Sequence, residues 1–362
     1  MKKILTILCL VTILIIPQLA CNSQAPNGSN SNQGVSKSSF HLDTLCSITI
    51  YSMDGAAEKS DEENEKEALL LITDAYKLCD DYEKILSKTI EGSDIYNINN
   101  AVGNWVEVKD CTIEVIGKGL EYGKVSGGAF DITIGDVTEL WDFHGENEQG
   151  EKTGVIPDGE ELAEAAKHVD YTKVEIDGNR VRLADSQAHL DLGGIAKGYI
   201  ADQVAAYLED NGVTSAVVDL GGNIVVIGQK ASTVDGGEST DFSIGVASPT
   251  SETGELLGTV PCSDKTVVTS GTYERYFEVD GVRYHHVLDP DTGFPVDTDL
   301  LAVTIIGERG TSADCDGLST TCLAIGKEKA AALIEQTPGV GGIIVDVDGE
   351  VTVINVDEFK AS

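Results

Sequence analysis

Basic residues are scarce in this chain. Of its 362 residues, 25 are Lys or Arg and 61 are Asp or Glu, so the formal net charge is −36 at pH 7. Nucleic acid is therefore not expected as a partner, because one polyanion repels another. A phosphate-rich ligand would need local neutralisation, for which Lys197, Arg275 and a bound Mg²⁺ are candidates.

The cysteines lack the spacing of metal and redox sites. The chain has 8 cysteines and no Cys-x-x-Cys pair, which removes the most specific thiol motifs. Those beyond residue 40 lie mostly in apolar stretches, where a thiol packs as a small hydrophobe. We expect no catalytic thiol, and the sequence leaves disulfide formation open. These cysteines are Cys46, Cys79, Cys111, Cys262, Cys315 and Cys322.

Long hydrophobic runs are also missing. The run from Ile4 to Ile16 is shorter than the roughly 20 residues that span a bilayer. Lys2-Lys3 precede it and Ala20-Cys21 follow it, which is the layout of a secretory signal. We predict a signal peptide over residues 1–21 that ends at a lipobox cysteine, with Cys21 as the lipidation site. The lipobox is imperfect, so a simple cleaved signal is the alternative.

The segment after this cysteine is polar. Residues 22–39 are rich in Asn, Ser and Gln, a composition that predicts a flexible tether. Residues 40–362 are enough for one large domain or two intimately packed halves. The predicted location is the extracytoplasmic face of the cell membrane, where a lipid anchor holds the protein.

Strand and helix patterns are mixed along the remaining chain. Thr44 to Tyr51 alternates apolar and polar residues like a half-buried strand, whereas Ala68 to Tyr82 carries a helical stripe. The acidic run from Glu58 to Glu67 is expected to be a solvated loop that leads into this helix. Hairpins with helices between them predict an α+β fold with antiparallel-rich sheets.

Nine residues from Asp191 to Tyr199 combine an acid, glycines and a lysine. Glycine lets backbone approach a ligand closely. Ile195 to Asn211 is predicted to be a helix, whose free N–H groups favour phosphate. Lys197 adds a positive charge one turn into that helix. The alternative is a tight turn between a strand and a helix.

A second segment runs from Tyr284 to Pro295. His285 and His286 end a predicted strand, and Asp289 to Gly293 form a turn rich in Asp, Pro and Gly. Imidazole is the side chain best suited to move protons near neutral pH. Alternation along the strand puts the two rings on opposite faces, so the pattern alone does not choose between them.

A third segment runs from Ala313 to Thr320. Asp316 and Thr320 are four residues apart on a predicted helix and share one face of it. A carboxylate and a hydroxyl so placed can bind a hard cation such as Mg²⁺. Equally, Asp316 can cap the helix while Thr320 merely packs.

Together these three segments resemble the ApbE family of FAD:protein FMN transferases, over about residues 40–330. Two departures from the family pattern are Leu42-Asp43-Thr44 in place of Met-Gly-Thr, and Asp136 in place of a proline. Further motifs follow in family order: Ser93-Asp-Ile-Tyr-Asn-Ile-Asn99, Gly127-Gly-Ala-Phe-Asp-Ile-Thr-Ile-Gly135, Leu140-Trp-Asp-Phe143, Asp219-Leu-Gly-Gly-Asn223 and Thr269-Ser-Gly-Thr-Tyr-Glu-Arg275.

The resemblance implies a two-lobed α+β unit with flavin between the lobes. It implies Mg²⁺ ligands at the Gly194 carbonyl and at the side chains of Asp316 and Thr320. It selects His286 as general base, for which Asp289 is a candidate orienting partner. The implied flavin contacts are Leu42, Tyr96, Ala129, Phe130, Asp131, Asp191, Lys197, Thr269, Ser270, Gly271 and Tyr273.

The implied reaction moves FMN from FAD to a threonine or serine hydroxyl of an acceptor flavoprotein subunit at the membrane, with release of AMP. One alternative is a metal-dependent FAD pyrophosphatase that gives FMN and AMP. Another is a lipoprotein that binds flavin without catalysis. A base and a cation site argue against mere binding, but the sequence separates transfer from hydrolysis poorly.

Overall fold

A computed structural model describes residues 34–143, 145–146, 152–230, 239–251 and 254–362. The predicted signal peptide with Cys21, and the predicted tether as far as residue 33, lie outside the described residues. The described helices are α1 (Asp61–Leu86), α2 (Asp94–Asn99), α3 (Asp110–Ser126), α4 (Gly135–Leu140), α5 (Gly159–Ala166), α6 (Ala196–Asp210), α7 (Ser312–Ile325) and α8 (Lys327–Gln336), with 3₁₀ turns at Ala56–Glu58 and Tyr171–Lys173.

Strands of the described chain alternate with these helices. They are β1 (Val35–His41), β2 (Thr44–Met53), β3 (Val106–Glu107), β4 (Gly145–Glu146), β5 (Lys152–Thr153), β6 (Val174–Asp177), β7 (Arg180–Leu183), β8 (Val213–Leu220), β9 (Asn223–Ile227), β10 (Phe242–Ala247), β11 (Leu256–Cys262), β12 (Lys265–Gly271), β13 (Tyr276–Val279), β14 (Val282–His285), β15 (Leu300–Glu308), β16 (Gly341–Asp346), β17 (Val351–Ile354) and β18 (Lys360–Ala361).

The main sheet has the strand order β1-β2-β8-β9-β12-β15-β16-β17. Every neighbouring pair in it is antiparallel. The alternation predicted for Thr44–Tyr51 is present in β2, where Cys46, Ile48 and Ile50 are buried. The prediction of an α+β fold with antiparallel-rich sheets is confirmed.

Neither β1 nor β12 was predicted. Strand β1 begins at Val35, inside the segment 22–39 that was predicted to be a tether, so that prediction is wrong for residues 35–39. Its whole length pairs with β2, from Val35 opposite Ile50 to His41 opposite Thr44. Inter-strand backbone hydrogen bonds therefore order a polar segment whose composition alone indicated flexibility.

The acidic run from Glu58 to Glu67 was predicted to be a loop. Helix α1 begins at Asp61, so this prediction is wrong for most of the run. The Ser60 hydroxyl accepts the Glu63 N–H, and the Glu63 carboxylate accepts the Ser60 N–H, which forms a capping box. Acidic residues in a first turn are stabilised by the helix dipole. These acids therefore start the helix.

Both faces of the main sheet are covered. Val225, Val268 and Ile305 pack under the helices into the main core. The next residues on two of these strands, Val226 and Ile306, point the other way, towards the sheet β10-β11-β18. The described cysteines are free and mostly buried, which agrees with their predicted role as small hydrophobes.

A third, smaller core lies under α4, α5 and the hairpin β13–β14. Its buried members are Val137, Trp141, Leu162, Phe277 and Leu288. The segment with the two histidines rests on this core. In the described part of the chain, no helix has the length and apolar character needed to cross a bilayer.

Candidate active site

Helices α6 and α7 cross at a point that only glycine permits. A Cβ on Gly198 would lie 2.3 Å from the carbonyl oxygen of Ser312. The Gly198 N–H donates to Oδ2 of Asp316 at 2.9 Å. This crossing brings the Asp191–Tyr199 motif to a residue 118 positions further along the chain, as the resemblance implied.

The helix cap that sequence reasoning considered for Asp316 belongs to another residue. Asp202 of α6 accepts the N–H groups of Ser312 and Ala313 at 3.0 and 3.1 Å, and so caps the N-terminus of α7. Burial raises the pKa of Asp202 to about 6 against the effect of these hydrogen bonds. Asp316 lies inside α7, so its carboxylate does not cap the N-terminus of this helix.

The three predicted cation ligands lie close together. A Cβ on Gly194 would be 3.5 Å from Cγ2 of Thr320, and Thr320 follows Asp316 by one turn of α7. Asp316 is 3 % exposed. Burial raises its pKa, while Lys197, the Gly198 N–H and the Asn223 amide oppose this rise. Carbonyl, carboxylate and hydroxyl oxygens are the donors that Mg²⁺ prefers, so these residues fit such an ion.

Lys197 connects several motifs electrostatically. Burial raises the pKa values of Asp219 and Glu274, as it does for Asp316, and the Lys197 ammonium lowers the pKa at each carboxyl. Lys197 is also one of the positive charges that disfavour protonation of His286. One ammonium group therefore acts on four motifs that are separate in the sequence.

The ring of His286 lies just beyond β14. Its Nδ1 is 3.3 Å from the carbonyl oxygen of Arg275, and its backbone N–H donates to the same oxygen at 3.1 Å. Burial, followed by the charges of Arg275 and Lys197, lowers the pKa of His286 to about 3. The imidazole is therefore neutral near pH 7, which is the form that accepts a proton.

His285 has different surroundings. It is 7 % exposed and pairs with Tyr276 across the hairpin. Burial lowers its pKa to about 4, and the positive charge that adds to this effect is Arg283. The two rings therefore differ in their electrostatic surroundings, because Arg283 acts on His285 whereas Arg275 and Lys197 act on His286. The choice of His286 as general base stays a prediction.

Asp289 does not orient His286, so that prediction is wrong. Its Oδ1 accepts the N–H of Asp291 at 2.8 Å, and its own N–H donates to the Phe294 carbonyl at 2.7 Å. Aspartate in such turns commonly bonds to backbone two residues ahead. The Arg275 carbonyl takes the orienting position beside His286.

The turn that contains Asp289 is fixed from the side by tryptophan. Nε1 of Trp141 donates to the Gly293 carbonyl at 2.9 Å. Gly293 has a φ of 74°, a conformation that glycine adopts without strain. The Leu140–Phe143 motif therefore supports the segment that follows His286.

Asp191 is held by a lysine that the sequence analysis did not single out. Its Oδ2 accepts the Thr138 hydroxyl at 2.8 Å and lies 3.1 Å from Nζ of Lys88. Its Oδ1 accepts the Gly193 N–H at 2.8 Å. Burial opposes ionisation of Asp191, but Lys88 and these hydrogen bonds outweigh it and hold its pKa below the ordinary value. A flavin contact at Asp191 stays a prediction.

The segment Ala129–Asp131 has mixed surroundings. Oδ1 of Asp131 accepts the N–H and hydroxyl of Thr133, and Oδ2 accepts the Tyr171 N–H at 2.8 Å, so both oxygens already hold the local backbone. Phe130 is buried, and a Cβ on Gly194 would lie 3.0 Å from its ring. Phe130 therefore packs against the glycine turn.

Two cavities open beside this segment. One of about 460 Å³ is lined by residues 127–129 and Asp131 together with residues 289–291. The other, of about 430 Å³, is lined by Ala129, Ile325 and Leu333 among others. Ala129 borders both cavities. The structure thus brings residues 127–129 and Asp131 to one cavity with residues 289–291, as a shared ligand would require.

Strand β12 contacts the predicted cation ligands through Ser270. Oγ of Ser270 is 2.7 Å from Oγ of Ser319 and 3.4 Å from Oγ1 of Thr320. The Thr269 hydroxyl bonds instead to Thr304 on the neighbouring strand at 2.9 Å. The ring of Tyr273 covers Gly271, where a Cβ would lie 2.3 Å from it. Burial raises the pKa of Tyr273 to about 12.

Leu42 lies in the turn between β1 and β2. Leu42 and Asp43 both have positive φ, 53° and 57°, as a tight two-residue hairpin turn requires. Oδ2 of Asp43 lies 3.2 Å from Nη2 of Arg275. The departure from the Met-Gly-Thr pattern is therefore compatible with a turn that docks on the segment before His286.

Tyr96 lies on α2 and is partly buried. On the same helix, Asn99 bonds both the N–H and the carbonyl of Leu190, at 2.7 and 3.0 Å. Helix α2 is thereby attached to the residue before Asp191. This attachment places the Ser93–Asn99 motif beside the Asp191 segment.

A separate group of possible ligands was missed by sequence reasoning. Ligand atoms of Asp136, Glu139 and His189 lie within 4.8 Å of one another. Nδ1 of His189 is 2.5 Å from Oδ1 of Asp136, and both side chains are 30 % exposed. The contact between the His189 ring and the Asp136 carboxylate accounts for this proximity without an ion. The i,i+3 spacing of the two acids was the available sequence signal.

Comparisons with known proteins agree with these motifs. The ApbE family model matches residues 42–344. A FAD:protein FMN transferase of Treponema pallidum is 33% identical over 87% of this chain and 85% of its own length. A FAD:protein FMN transferase of Klebsiella pneumoniae is 32% identical over 81% of this chain and 87% of its own length.

A solved structure agrees as well. The crystal structure of the ApbE protein from Thermotoga maritima has a TM-score of 0.73 and 32% sequence identity, and the match covers 89% of this chain and 97% of that one. The resemblance inferred from the motifs is confirmed. This chain belongs to the ApbE family.

Proposed function

We propose that this protein is a Mg²⁺-dependent FAD:protein FMN transferase. It moves FMN from FAD to a threonine or serine hydroxyl of an acceptor flavoprotein and releases AMP. The observation that carries the proposal is the position of Lys197, which lies in the first turn of α6, one residue before the Gly198 N–H that donates to Asp316 at 2.9 Å. From there it acts electrostatically on both Asp316 and His286. A carboxylate for a cation and a neutral imidazole for a proton therefore belong to one site.

In the proposed reaction, the acceptor oxygen forms a bond to the phosphorus of the FMN half of FAD. The bond from that phosphorus to the bridging oxygen breaks, and AMP leaves with the electron pair. The proton of the hydroxyl passes to the neutral ring of His286. The carbonyl of Arg275 beside Nδ1 orients the ring. Bound FAD is anionic, so it would stabilise the imidazolium that forms.

The cation would be held by the Gly194 carbonyl, Asp316 and Thr320. When bound, Mg²⁺ supplies positive charge that stabilises the phosphate oxygens. Lys197 and the N-terminal N–H groups of α6 add to this positive potential. Such local compensation is needed because the chain as a whole carries a formal charge of −36.

The location is part of the proposal. The basic start, short apolar run and Cys21 of the sequence support a lipid anchor at the outer face of the cell membrane. The acceptor would then be an extracytoplasmic flavoprotein subunit with a reactive threonine or serine. Such a location suits the predicted polar segment that follows Cys21.

The test uses purified residues 22–362 with FAD, Mg²⁺ and an extracytoplasmic flavoprotein subunit that carries a candidate acceptor threonine. In-gel flavin fluorescence after denaturation, confirmed by a mass gain of one FMN minus water, reports transfer. A fluorescent acceptor band that vanishes with EDTA supports the proposal. Free FMN and AMP without a band would indicate a pyrophosphatase. FAD that binds unchanged would indicate a flavin-binding protein.

A further inference from the structure

A fully buried asparagine lies beside the proposed cation ligands, and its side-chain amide forms no hydrogen bond within the described fold. Asn223 is the first residue of β9 and is 0 % exposed. Among the described residues, neither Oδ1 nor Nδ2 of Asn223 has a hydrogen-bond partner. Native proteins hold few such groups, because each unsatisfied polar atom destabilises the fold. Its presence at this place calls for a role in the site.

The position of Asn223 indicates that role. Strand β9 packs against both α6 and α7, the helices that supply Lys197 and Asp316. The Asn223 side chain lies beside the Asp316 carboxylate. It is one of the groups that lower the pKa of Asp316 against the effect of burial. The contact nevertheless falls outside hydrogen-bond geometry. An amide has a donor end and an acceptor end, so it can join an anion to a water molecule.

We propose that Asn223 is a positioning residue of the cation site. When a cation is bound, its Nδ2 would donate to the Asp316 carboxylate and fix the orientation of that ligand, and its Oδ1 would accept from a water at the site. The inference rests on the proposed function, because only there is Asp316 a cation ligand. Partners that orient metal ligands typically change metal affinity by about 10–100-fold when they are removed.

The experiment measures Mn²⁺ binding by the purified chain without FAD or acceptor, from the electron paramagnetic resonance signal of free Mn²⁺. Asn223→Leu keeps a similar side-chain volume but removes both polar atoms. We expect this variant to bind Mn²⁺ at least about tenfold more weakly. Its midpoint of thermal unfolding should equal or exceed that of the wild type, because two unsatisfied buried groups are gone.

Thr321→Val is the matched control. Thr321 is also fully buried, it lies on α7, and its hydroxyl lacks a partner in the described part of the chain. We expect this variant to bind Mn²⁺ like the wild type. The comparison therefore separates a buried polar group that serves the cation from one that does not.

Two results would overturn the inference about Asn223 while leaving the proposed cation site intact. One is unchanged Mn²⁺ affinity in Asn223→Leu while Asp316→Ala loses binding. The other is a lower unfolding midpoint in Asn223→Leu, which would make the amide a structural group. If the wild type binds no Mn²⁺, or Asp316→Ala binds it equally well, the proposed cation site fails and the inference fails with it. The EDTA-controlled transfer assay tests the reaction independently.

Discussion

The two halves of the candidate site are held by different means. The cation half lies where α6 and α7 cross over the main core, and backbone N–H groups of each helix bond to an acid on the other, at Asp202 and Asp316. The histidine half follows the short hairpin β13–β14, which rests on the small core around Trp141 and Phe277.

Because of this difference, we expect the histidine half to move more readily than the cation half. Two crossed helices with reciprocal backbone bonds share one large core, so the proposed cation ligands move only if that core rearranges. The ring of His286 depends on a hairpin and a turn, tied to the rest by contacts such as that of Trp141 with Gly293. Damage to the small core should therefore displace the base before it displaces the cation.

The largest expected effect comes from the cation half. In Asp316→Ala, we expect the rate of FMN transfer to fall about a thousandfold and the Mg²⁺ requirement to rise sharply, because charge on the phosphate oxygens loses its main compensation. Transfer rates measured over a series of Mg²⁺ concentrations test this. Asp314→Asn is the control, since Asp314 lies on the same helix but pairs with Lys118 at the surface. An unchanged Mg²⁺ dependence in Asp316→Ala would contradict the assignment of Asp316 as a cation ligand.

The next effect comes from the histidine half. His286→Gln should lower transfer about a hundredfold by removing the proton acceptor, while FAD still binds. Transfer by in-gel fluorescence and FAD binding by fluorescence quenching are measured together. His285→Gln is the neighbouring control and should change stability more than transfer, because His285 is buried in the hairpin, where Arg283 is the charge that acts on it. Full transfer in His286→Gln would remove the residue from the base role.

A third prediction tests whether the halves are independent. Phe277 is 0 % exposed, and Phe277→Ala should lower the free energy of unfolding by about 3–5 kcal/mol because it leaves a cavity in the small core. Transfer should fall while Mn²⁺ affinity is retained at a temperature where the variant is folded. Phe294→Ala, at a ring that is 36% exposed, should have a smaller effect. Loss of Mn²⁺ binding in Phe277→Ala would show that the two halves are coupled.

The smallest expected effect is a dependence of stability on pH. The folded-state pKa values of His285 and His286 are about 4 and about 3, below the ordinary histidine value of about 6.5. The unfolded chain therefore binds protons that the folded protein excludes, so this stability is complete above the unfolded pKa and is lost as pH falls through the folded values. Urea unfolding at several pH values should show a shallower acid-side slope in His286→Gln than in the wild type. Equal slopes would contradict the lowered pKa.

Most of the elements could be predicted from local patterns. Helix α6 and the hairpin β6–β7 follow from apolar periodicity and from Gly178-Asn179 at the turn. Strand β1 could not be predicted, because its order comes from pairing with β2 rather than from its polar composition. Helix α1 begins earlier than expected because a capping box converts an acidic run into a first turn.

In the candidate site, too, some features were predictable from local patterns and others depended on long-range contacts. Spacing placed Asp316 and Thr320 on one helix face, and the family resemblance implied that Gly194 lies near them. Lys88 beside Asp191 and the buried amide of Asn223 had no local signal, since each depends on contacts between distant segments. Asp289 was misassigned because a turn rich in Asp can satisfy its own side chain.

The sequence by itself determined the family, the α+β character and the types of group available to the site, because motifs and periodicity are local properties of the chain. The tertiary structure decided which groups face one another. It buried Asp316 against Gly198, placed His286 beside the carbonyl of Arg275, and used Asp202 to cap α7. The physical reason is that burial and long-range hydrogen bonds set the charge state of each group, and both exist only after the helices and sheets have packed.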